Sequence, residues 1–148
     1  MDADHTELAR TAMREWVSGA AGGDWSGLVA LLDPDVVFHV PVAGFDGVRR
    51  GVAEAARFFD HLTAVLRAKL EVTSTLRDGN RIAYEVTVRG VMNGRRFVQA
   101  LCLVFVLGDG RVRQFREYLA WPGGLQPDAA PELGVNGWPV NPQAPRFS

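Results

Sequence analysis

The stretch that decides the fold runs from residue 82 to residue 121 and reads IAYEVTVRGVMNGRRFVQALCLVFVLGDGRVRQFREYLAW. Its apolar runs are separated by Asn93-Gly94 and by Gly108-Asp109-Gly110. Asn-Gly between apolar runs is a strong hairpin signal, because both central residues of a type I′ turn need a positive φ. The second half of the chain therefore predicts an antiparallel meander. Its predicted strands are Leu70–Leu76, Ile82–Val91, Phe97–Leu107 and Val112–Trp121.

The first half of the chain has helical periodicity, with apolar residues recurring every three or four positions. Asp4 and Glu7 resemble a helix cap and its partner, and Asp24 can cap a second, short helix. The predicted helices are Asp4–Ala21, Trp25–Leu32 and Val52–Leu66, with a short strand, Val36–Pro41, before the third. Helices that precede an antiparallel sheet indicate an α+β fold, in which they cover one face of a curved sheet.

Composition narrows the class of protein. The chain has 148 residues, 47% of them hydrophobic, and 16 Lys+Arg against 17 Asp+Glu give a net charge of -1. This balance gives no broad electrostatic reason to bind nucleic acid or an anionic membrane. The single cysteine excludes an intrachain disulfide, and no apolar run approaches the roughly 20 residues of a membrane helix. We expect one soluble, cytoplasmic domain.

The last segment differs in composition from the rest. Of the 8 prolines, all but Pro34 and Pro41 lie between residues 122 and 148, together with several glycines. We expect a domain over residues 1–121 and a Pro/Gly-rich tail over 122–148 that packs on the domain or on a dimer partner. The alternative is that the tail covers a pocket as a lid.

Sequence motifs for metals and cofactors do not occur. His5, His39 and His61 are too scattered for a zinc pattern, and Cys102 has no thiol partner. No glycine-rich loop follows a strand, and no Gly-x-Ser-x-Gly elbow occurs. We therefore expect no metal and no cofactor, and chemistry limited to acid/base or binding work inside a pocket.

Several local strings, taken in order, resemble the nuclear transport factor 2-like superfamily, particularly its SnoaL-like, ketosteroid isomerase and limonene epoxide hydrolase branches. These strings are EWV at 15–17, GDWSGL at 23–28, LLDPDVVF at 31–38, residues 51–59, DGRV at 109–112 and REY at 116–118. The resemblance covers residues 5–121. It implies a cone-shaped, cystatin-like fold, in which a curved antiparallel sheet wraps around helices and leaves an apolar pocket. It also implies a homodimer through the outer sheet face.

The isomerase branch carries its catalytic tyrosine and two aspartates at positions that correspond here to Trp16, Val40, and Cys102 or Leu103. All three groups are absent, which argues against ketosteroid isomerisation by the known mechanism.

The epoxide hydrolase branch has an Arg/Asp pair where this chain has Val86 and Val88, so the acid that protonates the epoxide is missing. Its final Arg-Asp-Tyr string corresponds here to Arg116-Glu117-Tyr118, which has a glutamate in place of the aspartate. Its water-holding asparagine corresponds to His39.

Glu117 is the leading catalytic candidate. If alternation on the last strand sends Phe115, Glu117 and Leu119 inward, Glu117 becomes an acid in an apolar cavity. Desolvation would raise its pKa towards neutrality, as a general acid/base requires. Two alternatives remain open: the carboxyl is inward but merely hydrogen-bonded to Trp16, Tyr84 or a buried water, or the register is opposite and Glu117 lies on the surface.

His39 is the second catalytic candidate, since its near-neutral pKa suits proton transfer. Pure alternation with Phe38 and Val40 would point it outward, whereas the epoxide hydrolase comparison places it at the pocket. We expect the substrate-binding residues to be Trp16, Tyr84, Val40, Val86, Val88, Cys102, Phe115, Leu119 and Trp121. Gln99 is a minor candidate, which reaches the pocket only if Leu101 and Leu103 also face inward.

The leading functional hypothesis is a SnoaL-like enzyme that uses acid/base chemistry on an apolar, polyketide- or terpenoid-like substrate. The reaction would be a cyclisation, an isomerisation or a dehydration. The alternatives are a non-catalytic module that binds a small ligand or dimerises, and an epoxide hydrolase.

Overall fold

The computed structural model of the chain describes residues 2–120, with side chains from residue 4 onward. These residues include three helices: α1 (Asp2–Gly22), α2 (Ser26–Val29) and α3 (Val52–Val65). The predicted tail, 122–148, and Trp121 lie outside the described residues. None of the helices in the described part is long and apolar enough to span a membrane.

The helix starts differ in part from the prediction. α1 begins at Asp2, so Asp4 lies inside its first turn and not at its cap. The N-cap position of α2 is Trp25, one residue after the predicted Asp24. The Asp24 carboxylate still accepts hydrogen bonds from the Ser26 backbone N–H at 3.0 Å and from the Ser26 hydroxyl at 2.7 Å at the start of the helix. α2 ends at Val29, earlier than predicted, since the chain enters a strand at Leu32.

The sheet has six strands in the order β2-β1-β6-β5-β4-β3. They are β1 (Leu32–His39), β2 (Arg49–Arg50), β3 (Leu66–Asp78), β4 (Arg81–Met92), β5 (Arg95–Gly108) and β6 (Arg111–Ala120). β3 to β6 form the predicted antiparallel meander. The α+β class with a curved sheet is confirmed.

The predicted turn chemistry is present at two hairpins. Asn93 and Gly94 have φ values of 51° and 78°, and Asp109 and Gly110 have φ values of 53° and 70°. These are the positive values that a two-residue hairpin turn requires. The turns fix which residues of β4, β5 and β6 stand opposite one another.

One pairing departs from an antiparallel sheet. β1 runs parallel to β6, with Phe38 level with Phe115. β1 also extends back through Pro34, and its register with β6 shifts between Leu32 and Val37. Proline has no N–H to give to a ladder, so it is tolerated where the pairing is irregular. The parallel pair makes the first long strand a neighbour of the last.

The core lies on the face of the sheet that packs against the helices, which we call the inner face; the opposite side is the outer face. Its largest fully buried side chains are aromatic: Phe38, Phe58, Phe59, Phe105 and Phe115. The Phe38 and Phe115 rings stack with centroids 4.9 Å apart. Burying each such side chain contributes roughly 1.5–3 kcal/mol. The inner face is thus closely packed where β1 meets β6.

Candidate active site on the inner face of the sheet

Glu117 faces inward. Residues that stand directly opposite in an antiparallel pair share a face, and Glu117 stands opposite Leu103, which is fully buried. Its neighbours two positions away, Phe115 and Leu119, stand opposite Phe105 and Leu101. The expected alternation of β6 is therefore present, and the alternative of a surface Glu117 is wrong.

The neighbours of Glu117 on the inner faces of β5 and β6 are apolar. The Glu117 carboxyl forms no hydrogen bond or ion pair with any described residue, which removes the alternative that it is hydrogen-bonded to Trp16 or Tyr84. Burial disfavours the charged form and raises the pKa of Glu117 to about 7. The side chain nevertheless keeps part of its surface accessible. Near neutral pH such a group can both accept and donate a proton.

The predicted apolar wall lies on the same face. Val86 stands opposite Leu101, which in turn stands opposite Leu119. β1 ends at His39, level with Arg116, so continuation of that parallel register brings Val40 level with Glu117. The buried wall residues are Val40, Val86, Val88 and Phe115. Glu117 is the only carboxylate on the inner faces of β4 to β6, all of which lie within the described residues.

Tyr84 stands in the same row of the sheet as Glu117. It pairs with Leu103, which separates it from Glu117, so the two Cα atoms lie about 10 Å apart. The side chain is buried, and burial raises the pKa of its hydroxyl. Tyr84 therefore stays protonated at neutral pH and can donate a hydrogen bond.

Trp16 fills the centre of the core. Its ring makes edge-type contacts with four other rings, at centroid distances of 5.4 to 6.0 Å. The partners are Trp25, Phe59, Phe105 and Phe115. Since only 2% of Trp16 is exposed, packing accounts for its position.

His39 is not part of this site. It is exposed and stands level with Arg116 on the outer face, because Phe38 on one side and Val40 on the other are both buried inward. The expectation that His39 partners Glu117 is corrected: simple strand alternation holds, and the residue type that suits proton transfer lies on the wrong face.

Cys102 is also outside the inner face. It stands opposite Glu85 on β4 and Tyr118 on β6, both on the outer face. Burial, and then the charge of Glu85, raise the pKa of its thiol. The expected lining role of Cys102 is corrected: Leu103 takes the inward position. Trp121 lies outside the described residues.

Gln99 is a minor candidate on sequence grounds, yet among the buried residues of the described part it is the one polar side chain that is not aromatic, with 7% exposed. Leu101 and Leu103 do face inward, so the alternation that would bring Gln99 to this face is present. The signal in the sequence is that Gln99, Leu101 and Leu103 are two positions apart on one strand. Which face these residues share depends on the hairpin register, which the sequence does not give.

Comparisons with known proteins agree with this fold. The sequence model of the SnoaL-like domain matches residues 13–115, so Glu117 lies just beyond the matched range and its role depends on the geometry above. No curated protein matches the sequence significantly.

Three solved structures are similar in fold. A nuclear transport factor 2-like protein from Anabaena variabilis has a TM-score of 0.72 at 19% identity, covering 78% of this chain and 89% of its own. An epoxide hydrolase of the limonene type from Mycobacterium tuberculosis has a TM-score of 0.62 at 24% identity, covering 77% and 83%. A candidate polyketide cyclase from Pseudomonas putida has a TM-score of 0.63 at 23% identity, covering 77% and 90%. Identities this low establish a shared fold and leave activity open.

Proposed function

The chain belongs to the SnoaL-like domain family, and from that premise we propose that it is a cofactor-independent acid/base enzyme acting on an apolar small molecule. The substrate class is a polyketide- or terpenoid-like compound that carries a carbonyl group. The reaction is a cyclisation, an isomerisation or a dehydration that begins with proton transfer at carbon. The observation that carries this proposal is the inward Glu117 carboxyl, which has no partner among the described residues and whose pKa is raised to about 7.

Glu117 would act as follows. Its carboxylate removes a proton from the carbon next to the carbonyl, which leaves an enolate and a carboxylic acid. In an isomerisation the acid then returns the proton to another carbon. In a cyclisation the enolate carbon attacks a second carbonyl carbon, the C=O π bond breaks to give an alkoxide, and the alkoxide takes the proton back from the acid. A group whose pKa lies near the working pH is the most effective in such transfers.

The rest of the inner face would orient the substrate. Tyr84 has a protonated hydroxyl that can donate to the carbonyl oxygen, where negative charge develops. The valines at 40, 86 and 88 exclude water and hold an apolar substrate by shape. In this proposal one carboxyl transfers protons and the other residues orient the substrate. A site with few ionisable groups can work in this way, because much of the rate enhancement then comes from holding a flexible substrate in a reactive conformation.

Proton exchange tests the reaction class without knowledge of the substrate. 2-Decalone and cyclododecanone would be incubated with the protein in D₂O, and loss of the α-proton signals followed by NMR. We expect exchange faster than in buffer, and a fall of about 100-fold or more in Glu117→Gln. Glu85→Gln is the matched control, since Glu85 lies on the outer face of the neighbouring part of the sheet. Equal exchange in wild type and Glu117→Gln excludes Glu117 as the proton carrier.

A second candidate function is ligand binding without turnover. It is favoured by the lack of a second carboxylate on the inner faces of β4 to β6 and by the outward position of His39. The same lack argues against epoxide hydrolysis, because Val86 and Val88 occupy inward positions where an acid would be needed. A ketone that binds tightly but exchanges no proton, with no hydrolysis of styrene oxide or limonene oxide, would favour this candidate.

We also propose that the chain forms a homodimer through the outer face. That face carries exposed apolar side chains, among them Leu76 at 59% and Tyr118 at 51% exposed, beside the half-buried Val104. Val104→Arg is expected to produce a monomer in sedimentation velocity. Val48→Arg is the control, since Val48 is 72% exposed in the loop between β1 and β2. A wild-type protein that sediments as a monomer excludes the dimer.

A further inference from the structure

Gln99 is a buried amide without a described partner. Its side chain lies on the inner face opposite Val88, and 93% of its surface is removed from solvent, since 7% is exposed. Neither its amide nitrogen nor its amide oxygen forms a hydrogen bond with a residue in the described part. The fully buried polar side-chain atoms that lack a partner in the described part are Trp25 Nε1 and Arg116 Nε, so the amide of Gln99 keeps part of its small accessible surface. An amide that is mostly withdrawn from water but still within reach can gain a hydrogen bond from a ligand.

Gln99 and Glu117 lie at opposite ends of one apolar strip. Glu117 stands opposite Leu103, and Gln99 lies four positions before Leu103 on the same strand. With a rise of about 3.4 Å per residue and strands about 4.8 Å apart, the two Cα atoms are separated by roughly 14 Å. The strip between the two polar groups is lined by Leu101, Leu119, Val86 and Val88.

We propose that Gln99 is a second polar anchor for the ligand of this site, and that the ligand is an elongated apolar molecule with a neutral hydrogen-bonding group at its far end. One end of the ligand reaches Glu117, and a hydroxyl or carbonyl at the other end meets the Gln99 amide. The amide has both donors and an acceptor, so it suits either group. Because it carries no charge and is buried, it favours a neutral group over an ionised one. This proposal rests on the proposed function, because it places the ligand in the same site as Glu117.

Two matched probes test the anchor. 4,4′-Dihydroxybiphenyl has a hydroxyl at each end of a rigid apolar body, and 4-hydroxybiphenyl lacks one of them. Affinities would be measured by isothermal titration calorimetry for wild type and for Gln99→Met, which keeps the side-chain length but removes hydrogen bonding. Gln114→Met is the control, because Gln114 stands opposite Val106 on the outer face. Gln99→Asn, which keeps the amide on a shorter side chain, is a second variant.

We expect wild type to bind the diol about five- to tenfold more tightly than the mono-ol, the worth of one net hydrogen bond. That ratio is expected to fall to about one in Gln99→Met, to fall in part in Gln99→Asn, and to stay unchanged in Gln114→Met. A mere packing role of Gln99 would weaken both probes equally and leave the ratio unchanged.

The proposal is wrong if the ratio of diol affinity to mono-ol affinity is the same in wild type and in Gln99→Met. It is also wrong if wild type binds neither probe. The result is separable from the proposed reaction. If α-proton exchange is absent while the diol preference depends on Gln99, acid/base catalysis by Glu117 fails and the anchor stands. If exchange depends on Glu117 but the preference does not depend on Gln99, the anchor alone fails.

Discussion

Glu117 stands directly opposite Leu103, so a carboxyl group shares the inner face with a residue that is completely buried. The hydrophobic neighbours of Glu117 supply no hydrogen bond and no counter-charge among the described residues. This relationship makes folding and protonation depend on each other, and it sets the first two predictions.

Glu117→Gln should stabilise the protein at alkaline pH. The folded-state pKa is about 7 against an ordinary value of 4.5, so the folded protein retains a proton that the unfolded chain has released between these values. The contribution of Glu117 to the free energy of unfolding is therefore greatest below pH 4.5, the ordinary pKa. It falls as the pH rises to about 7 and is constant above that pH. Glutamine mimics the neutral acid at every pH.

Urea unfolding checks this prediction. At about pH 8 the free energy of unfolding of Glu117→Gln should exceed that of wild type by about 1–3 kcal/mol; about a quarter of the difference should remain at about pH 5, and it should nearly vanish below about pH 3.5. Glu85→Gln should show no such pH-dependent gain. A Gln variant that is less stable than wild type at alkaline pH would mean that the carboxylate is well solvated or paired.

The pH dependence of proton exchange should follow the same group. If Glu117 removes the proton, the rate of α-proton exchange should rise with pH and level off above about 7, the pKa of its carboxyl. The profile would be measured as kcat/KM for ketone exchange in wild type. An inflection near the ordinary pKa of a glutamate, 4.5, would place the active carboxyl in water and not on the inner face.

Gly90→Ala should disturb the sheet far more than Gly22→Ala. A Cβ at residue 90 would overlap the backbone carbonyl oxygen of Arg67 and the Cα of Ala68 on β3, whereas a Cβ at residue 22 meets nothing within 4 Å. Backbone atoms cannot move aside as a flexible side chain does. We expect Gly90→Ala to lower the free energy of unfolding by about 2 kcal/mol or more, and Gly22→Ala to change it by less than about 1 kcal/mol. Thermal and urea unfolding of both variants decide the comparison.

Cys102 should react slowly with alkylating reagents at neutral pH. Burial, followed by the charge of Glu85, raises the pKa of the thiol, and only the thiolate is nucleophilic. Iodoacetamide labelling followed by mass spectrometry reports this residue alone, since the chain has one cysteine. Glu85→Gln should speed the labelling modestly. Labelling of wild type as fast as a free thiol would contradict the outer-face environment described here.

The sequence predicted the meander from local rules, but it left two directions open for Glu117, of which strand alternation in the structure selects the inward one. Asn93-Gly94 and Asp109-Gly110 have the turn conformations that their residue types favour, and β6 alternates without interruption from Phe115 to Leu119. Where the sequence offered two conflicting arguments, as for His39, the local one was correct: alternation with Phe38 holds.

The remaining features depend on partners far apart in the chain. The choice between Cys102 and Leu103 depended on the exact length of a hairpin, which shifts every facing residue by one. The parallel pairing of β1 with β6 and the two-residue β2 have no periodic pattern of their own. Gln99 could be ranked only after β5 had been placed in register with β4, since its importance depends on burial and not on residue type.

The parallel pairing of β1 with β6 has a consequence for biosynthesis. Leu32–His39 leaves the ribosome long before Arg111–Ala120, its principal neighbour. Until β6 has been made, the chain has an apolar strand with an open edge, and contacts between such distant segments form slowly. Val40 and Glu117 come level only after β6 has been made, so a growing chain builds the apolar wall of β4 and β5 first and adds its acid last.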